Sequence, residues 1–252
     1  MLKVRNVSLA YGAEPVLENL DLDIATGAFV SLVGPSGSGK TSVLRAVTGL
    51  QTPLNGSVEL DVDKCDVGFL FQDDALLPWR TARQNVALGL RIRGIAGDKA
   101  LAEADSWLAR LGLAGLEQRY PSQLSGGQRK RVAIAQVLAL KPKLLLMDEP
   151  FASLDAIVRA RITQELVDWV EREHMTVLLV THDLEEALST SDVVYLLSQG
   201  PRARIRSRYE VPIPRPRTLI ETRKHPAFGA LLDRLWCDLA DEVNVAGAEA
   251  AQ

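Results

Sequence analysis

Cysteine is nearly absent: Cys65 and Cys237 are the only two among 252 residues. They stand far apart and outside any metal-ligand spacing, so neither a disulfide framework nor a zinc site is expected, and a reducing cytosol is the natural setting. Long apolar runs are missing too. None approaches the roughly 18 residues that span a bilayer, so the chain is not expected to move anything across a membrane alone. No secretion signal is expected, because the opening MLKVRNVSLAYG alternates like a strand instead of joining a charged head to an apolar stretch. A strong charge of either sign is also lacking. With 29 Lys and Arg against 32 Asp and Glu, the formal charge of -3 argues against a nucleic-acid partner, which favours a basic domain. There is no internal repeat and no long low-complexity segment.

What is present is ordinary globular composition, 47% hydrophobic and 24% charged, in a chain long enough for a large core. Short β-branched or leucine-rich runs at 28–33, 67–71, 143–147, 175–180 and 192–197 alternate with stretches of helical periodicity, which predicts an α/β domain with a largely parallel sheet. The run KLLLMDEP is continuously apolar, as for a strand covered on both faces. Between 81 and 140 the strands give way to amphipathic segments at 81–92, 98–111 and 126–139, read as a helical lobe inserted into the sheet domain. Alternating segments in the first 65 residues predict an antiparallel β layer beside the main sheet. The expected division of a single domain over 1–252 is therefore a sheet core from 1–72 and 141–208, a helical subdomain from 73–140, and a C-terminal tail and helix from 209–252, with a helix near 226–240 and fraying over VAGAEAAQ.

Residues 34–41, GPSGSGKT, match G-x-x-x-x-G-K-[ST] directly after the strand AFVSLV and directly before the helical pattern SVLRAVTGL. Gly34, Gly37 and Gly39 permit a tight loop whose backbone N–H groups surround phosphate oxygens, and the next helix turns its positive end toward the same anion. Gly34, Pro35, Ser36, Gly37, Ser38, Gly39, Lys40, Thr41 and Ser42 are thus expected to bind nucleotide. Lys40 would reach the β- and γ-phosphates, and Thr41 would offer its hydroxyl to Mg²⁺. Asp148 and Glu149 end the buried strand before Pro150, where an acidic pair is costly unless a cation sits beside it. Mg²⁺ would supply that charge, held directly or indirectly by Asp148, with Glu149 as general base toward the attacking water. An isolated Asp-Glu-Pro reads first as a pair of helix caps, and the phosphate loop elsewhere in the chain is what favours the metal reading. His182, after VLLVT, emerges at the same sheet edge and is expected at the γ-phosphate, although a lone His there is often only a satisfied polar residue. Asp183 with Glu186 reads as a capping pair.

Ser125 and Gln128, in LSGGQRKR, stand at capping-box spacing, with Gly126 and Gly127 between them allowing close approach. A second helix thus begins with exposed N–H groups, in the helical lobe and away from the first loop. Two anion-binding helix ends in one chain point to two copies sharing each nucleotide. These motifs in this order, GPSGSGKT, LSGGQ at 124–128 and LLLMDE at 144–149, resemble the nucleotide-binding subunits of ABC transporters over almost the whole chain. The resemblance implies a P-loop NTPase fold, a RecA-like parallel sheet core with an antiparallel β layer and an inserted α-helical subdomain. It also implies that Tyr11 stacks on adenine, that Gln72 senses Mg²⁺ and the membrane partner, that Ser153 to Asp155 contact a second subunit, and that His182 is the switch histidine. Two copies would pack head to tail as a homodimer, bringing Ser125, Gly127 and Gln128 of one to the γ-phosphate held by the other.

The segments DDALLPWRTARQNVALGL and VPIPRPR look most like importers of nitrate, sulfonates or taurine. Their partners would be transmembrane permease subunits and a solute-binding protein, at the cytoplasmic face of the cell membrane, with no nucleic acid. No appended regulatory domain like that of sugar-importer relatives is expected. Three departures, Gln136-Val137, Ala152-Ser153 and a shorter 56–68, remove no catalytic group but blur the branch. An exporter ATPase, or a soluble ABC ATPase acting on nucleic acid or ribosomes, stand as alternatives. Trp79 and Arg80 would face the permease, or Trp79 would be buried in the helical lobe. Arg202, Arg204, Arg206 and Arg208 would line one side of a strand, as a solvated face or toward anionic lipid.

Overall fold

In the computed structural model, which describes residues 1–12, 14–152 and 154–249, the opening alternation folds as the antiparallel pair β1 (Leu2–Tyr11) and β2 (Glu14–Ile24). Leu2, Val4, Val7 and Leu9 are buried on the first strand and Leu17, Leu20, Leu22 and Ile24 on the second, the alternation of a sheet with one wet face. β3 (Phe29–Val33) begins the main sheet and runs through the glycine loop into α1 (Lys40–Thr48); β4 (Asn55–Leu60) then pairs with β1 to complete the layer β2-β1-β4. After β5 (Val67–Leu70) come the helices α2 (Ala82–Ile92), α3 (Gly97–Arg110) and α4 (Gly126–Leu138), within a residue of the amphipathic segments read from the sequence.

β6 (Leu144–Asp148), α5 (Ala156–Arg172), β7 (Thr176–Val180), α6 (Leu184–Thr190) and β8 (Val193–Leu197) follow in strict alternation. The main sheet has the order β5-β6-β7-β3-β8-β9, parallel except for the antiparallel edge strand β9 (Ile205–Glu210). Every residue of β3, β6 and β7 is buried, as a sheet covered on both faces requires. Successive β6 residues serve opposite cores. Leu145 and Met147 join an apolar cluster with Val86, Leu90, Trp107 and Ile134 of the helices, while Leu144 and Leu146 join the leucines of β1 and β2. The helical segment therefore shares its core with the sheet. A third cluster seats α8 (Pro226–Glu249), which follows α7 (Leu219–Lys224), on α6 and β8 through Phe228 and Leu235.

This architecture is the expected one, with differences at the C-terminal end. The last helix runs to Glu249, and residues 250–252, the end of the stretch expected to fray, lie outside the described residues. The arginine stripe is also shorter than expected: only Arg206 and Arg208 lie on β9, while Arg202 precedes the strand in the left-handed region (φ 59°). Arg206 pairs with Glu242 and Arg208 with Glu210, the pattern of a solvated strand face. Among the described residues no helix is long and apolar enough to cross a membrane.

Candidate functional site

Four parallel strands deliver their following residues to one edge of the sheet: β3 leads to Gly34, β5 to Gln72, β6 to Asp148 and Glu149, and β7 to His182. Ligands in open α/β sheets bind at this carboxyl edge. The loop after β3 is shaped by what packs on it. Gly39 sits in the left-handed region (φ 86°), and a Cβ there would lie 2.6 Å from Val16 and 2.9 Å from Leu17, so the β1–β2 hairpin presses directly on the loop. Helix α1 starts without a side-chain cap, which leaves its first N–H groups for an anion. Ser38 is fully buried and its hydroxyl has no protein partner. Lys40 folds over the loop, its Nζ donating to the carbonyls of Gly34 (2.9 Å) and Pro35 (2.8 Å). Burial lowers its pKa while the charges of Glu149 and Asp148 push the other way. A nested cation, uncapped N–H groups and an orphaned hydroxyl fit a polyphosphate.

Thr41 Oγ1 donates to Asp148 Oδ1 at 3.1 Å. Burial raises the Asp148 pKa, and the Thr41 bond opposes that rise. Among the described residues no group of three or more His, Cys, Asp or Glu forms a metal site. The Thr41 hydroxyl and one carboxylate nonetheless match Mg²⁺, which is usually held by one or two carboxylates with phosphate oxygens and waters completing the octahedron. Glu149 is held in the left-handed region (φ 40°) with its N–H donating to Val180 O at 2.8 Å, and its Oε2 lies 3.0 Å from His182 Nδ1. Non-glycine residues held there carry strain of about 1–3 kcal/mol and cluster at functional sites.

Tyr11 is 47% exposed, and its hydroxyl lies 3.2 Å from Ser42 Oγ and accepts from Arg45 at 2.9 Å. The ring thereby stands beside the first turn of α1. Arg45 was not read from the sequence as part of the site, because nothing local marks a helix arginine that reaches back to another strand.

The second candidate anion site is separate. Ser125 Oγ accepts from Gln128 N at 3.3 Å and Gln128 Oε1 accepts from Ser125 N at 2.9 Å, the reciprocal capping box that opens α4. Gly127 lets α4 approach α5 closely, since a Cβ there would lie 3.0 Å from Val158. Asp155 caps α5 by accepting from Val158 N at 3.0 Å; Ser153, expected in the same contact loop, lies outside the described residues. Among the described residues no hydrogen bond links Ser125 or Gln128 to Lys40, Thr41, Asp148 or Glu149, so one chain presents two half-sites. Gln72 is exposed on the loop after β5, and its side chain makes no hydrogen bond to Thr41 or Asp148 among those residues.

Sequence reasoning missed Lys130. Its side chain is fully buried on α4, and Nζ donates to the carbonyls of Gln72 (2.9 Å) and Phe71 (3.3 Å) and pairs with Asp74 at 3.2 Å. It ties the Gln72 loop to the capped helix. A buried lysine is rare unless paired, but in RKR nothing singles it out.

Asp183 caps α6 as expected, accepting from Glu186 N at 3.0 Å, but Glu186 does not reciprocate. Its carboxyl turns inward to accept from Thr181 Oγ1 at 2.6 Å, only 9% exposed, and burial pushes its pKa from 4.5 up to about 7. An acid raised on folding binds more protons folded than unfolded, so its stabilising contribution is complete below about pH 4.5 and lost as pH rises through about 7. Glu186→Gln, which cannot ionise, should flatten that slope. Thermal melts from pH 5 to 8 should show the variant gaining on the parent by roughly 3 kcal/mol; parallel curves would reject the buried carboxyl as their source.

The model of the family described as ABC transporter matches residues 17–152, from the second strand of the antiparallel layer past the acidic strand end. The chain is 44% identical over 211 residues to the sulfate/thiosulfate import ATP-binding protein of Thermosynechococcus vestitus, covering 79% of this chain and 62% of that one. It is 43% identical over 233 residues to an aliphatic sulfonates import ATP-binding protein of Burkholderia lata, covering 91% and 69%. Against the bicarbonate transport ATP-binding protein of Synechococcus elongatus it spans about a third of the relative's length (34%), so it matches less than two thirds of the first curated relatives. Its fold superposes on a dimeric ATP-binding cassette in a post-hydrolysis state bound to ADP and Pi, with a TM-score of 0.74 and 33% identity, covering 85% of this chain and all of that one. Glycine loop, acidic strand end and serine-capped helix thus lie on a P-loop NTPase fold shared with these proteins, and the chain belongs to the ABC transporter family.

Proposed function

We propose that the chain is the ATP-binding and ATP-hydrolysing subunit of an importer for a small oxyanionic solute such as a sulfonate, taurine or nitrate, working as a homodimer on transmembrane permease subunits. One observation carries this reading: Lys40, Thr41, Asp148, Glu149 and His182 converge at one sheet edge, while among the described residues no hydrogen bond links the Ser125 helix end to any of them. A second copy supplies the missing half. The relatives named as sulfate/thiosulfate and aliphatic sulfonates import ATP-binding proteins support the direction, and these together with the bicarbonate transport ATP-binding protein support the solute class.

In this mechanism Lys40 moves from the carbonyls of Gly34 and Pro35 to the β- and γ-phosphates, with the loop N–H groups and the α1 terminus holding the rest of the anion. Thr41 and Asp148 would hold Mg²⁺, together with Gln72 when its loop closes. When bound there, the ion would supply charge neutralisation at the phosphates. Glu149 accepts the proton of the attacking water at Oε2, and His182, hydrogen-bonded to that carboxylate, keeps it aimed at the γ-phosphate. Tyr11 stacks on the base. Ser125, Gly127 and Gln128 of the partner copy contact the γ-phosphate, so closure requires ATP.

The functional unit is one domain over 1–252: a sheet core (1–72 and 141–208), a helical subdomain (73–140) that transmits closure, and a C-terminal segment (209–252). It acts at the cytoplasmic face of the cell membrane as a peripheral subunit. Surface chemistry supports the permease contact. Trp79 is 70% exposed, not buried in the helical segment, and Phe71, on the loop after β5, is 44% exposed. Exposed apolar patches of this kind mark protein interfaces. Co-expression with the permease tests the reading. The complex should show solute-stimulated ATPase activity, and Trp79→Ala should lower permease recovery on an affinity-tagged chain by about tenfold, the effect of one interface anchor. Permease recovery unchanged by Trp79→Ala would place the contact elsewhere.

A further inference from the structure

A second cavity lies at the opposite edge of the sheet, beside the residues that precede the strands: Thr26 before β3, Lys143 before β6 and Met175 before β7. One strand length, about 17 Å, separates that edge from the phosphate loop. The cavity measures about 310 Å³, at the small end of ligand pockets, and its wall is more apolar than polar. Trp107 of α3 and Trp169 of α5 meet there with ring centroids 4.8 Å apart. Above them sits the Arg110 guanidinium, 5.2 Å from one ring and 5.8 Å from the other, while Arg172 covers Trp169 at 4.9 Å.

Charge decides what the cavity suits. Among the described residues the exposed side chains of Arg110 and Lys141 on this wall make no ion pair and no hydrogen bond. Lys143, also on the wall, is already paired with Asp66 at 2.8 Å. Glu173 supplies the carboxylate on that wall, leaving an excess of positive charge in a chain whose net charge is -3. A stacked arginine offers its flat face to the rings and its N–H edge to an oxyanion.

We propose that this cavity binds a planar aromatic monoanion, whose ring packs on the apolar wall beside the half-buried Trp169 and whose carboxylate meets Arg110 and Lys141. An occupant would touch α3 of the helical segment and α5 of the sheet side together, fastening one to the other far from the nucleotide. The site is independent of the ATPase reading.

Isothermal titration of the full chain with 1-naphthoate, in saturating ADP and Mg²⁺ to block the phosphate loop, tests it. One-to-one binding is expected, weakened about tenfold by Arg110→Gln, whose exposed side chain holds no hydrogen bond, and similarly by Lys141→Gln as a second variant. The neutral 1-naphthalenemethanol should bind at least about tenfold more weakly. No saturable heat, equal affinity in the parent and both variants, or displacement by ADP would overturn the proposal.

Discussion

Replacing Glu149 by Gln should lower ATP turnover by about a thousandfold and leave ATP binding intact, so that an ATP-bound dimer accumulates. The expectation follows from how the side chain is held. Its backbone is forced into the left-handed region and anchored by the N–H donation to Val180 O, and its Oε2 lies against His182. These restraints are independent of the carboxylate charge, so the amide should occupy the same place with nothing able to accept a proton. Binding rests on other groups, the loop N–H donors and Lys40. Single-turnover hydrolysis and size-exclusion chromatography with light scattering, both with ATP and Mg²⁺, report the two halves of the claim. Hydrolysis at the parent's rate would remove Glu149 from the role of base.

Lys40→Ala acts one step earlier and should weaken ATP binding itself by about a hundredfold or more, the scale of losing hydrogen bonds to a charged partner. Its Nζ already sits on two carbonyls inside the loop, with burial favouring its neutral form. That makes it a cation short of negative charge, which a triphosphate supplies. Equilibrium titration with a fluorescent ATP analogue checks the number, and circular dichroism guards against a collapsed loop, since Gly34 and Pro35 lose their donor in the variant. Unchanged affinity would refute the loop as the phosphate site.

The parts of this site legible from sequence are those set by short-range rules. The glycine loop, the Ser125–Gln128 capping box and the acidic end of a fully buried strand each follow from spacing within a few residues, and each stands where the spacing placed it. Residues whose role depends on distant chain were not legible. Glu186 has the i, i+3 pattern of a cap, yet burial against Thr181 overrides it. Arg45 belongs to the site through Tyr11, 34 residues away, and Lys130 through a carbonyl 58 residues away. Trp79 shows the converse: its apolar character fits core or surface equally, and only the fold exposes it. Under the proposed function, the relation between the two candidate half-sites is invisible in one chain because a second copy would join them.

Lys130 has a thermodynamic consequence. Because its buried ammonium fastens the loop bearing Gln72 to the helix that Ser125 opens, preference at one end is felt at the other. Linkage then runs in both directions with the same free energy: whatever factor ATP adds to the affinity for a membrane protein gripping Trp79, that protein must add to the affinity for ATP. Under the proposed function, a permease bound at Trp79 would thus favour ATP by the same factor through the buried Lys130 and the Asp74 it shares with Arg129.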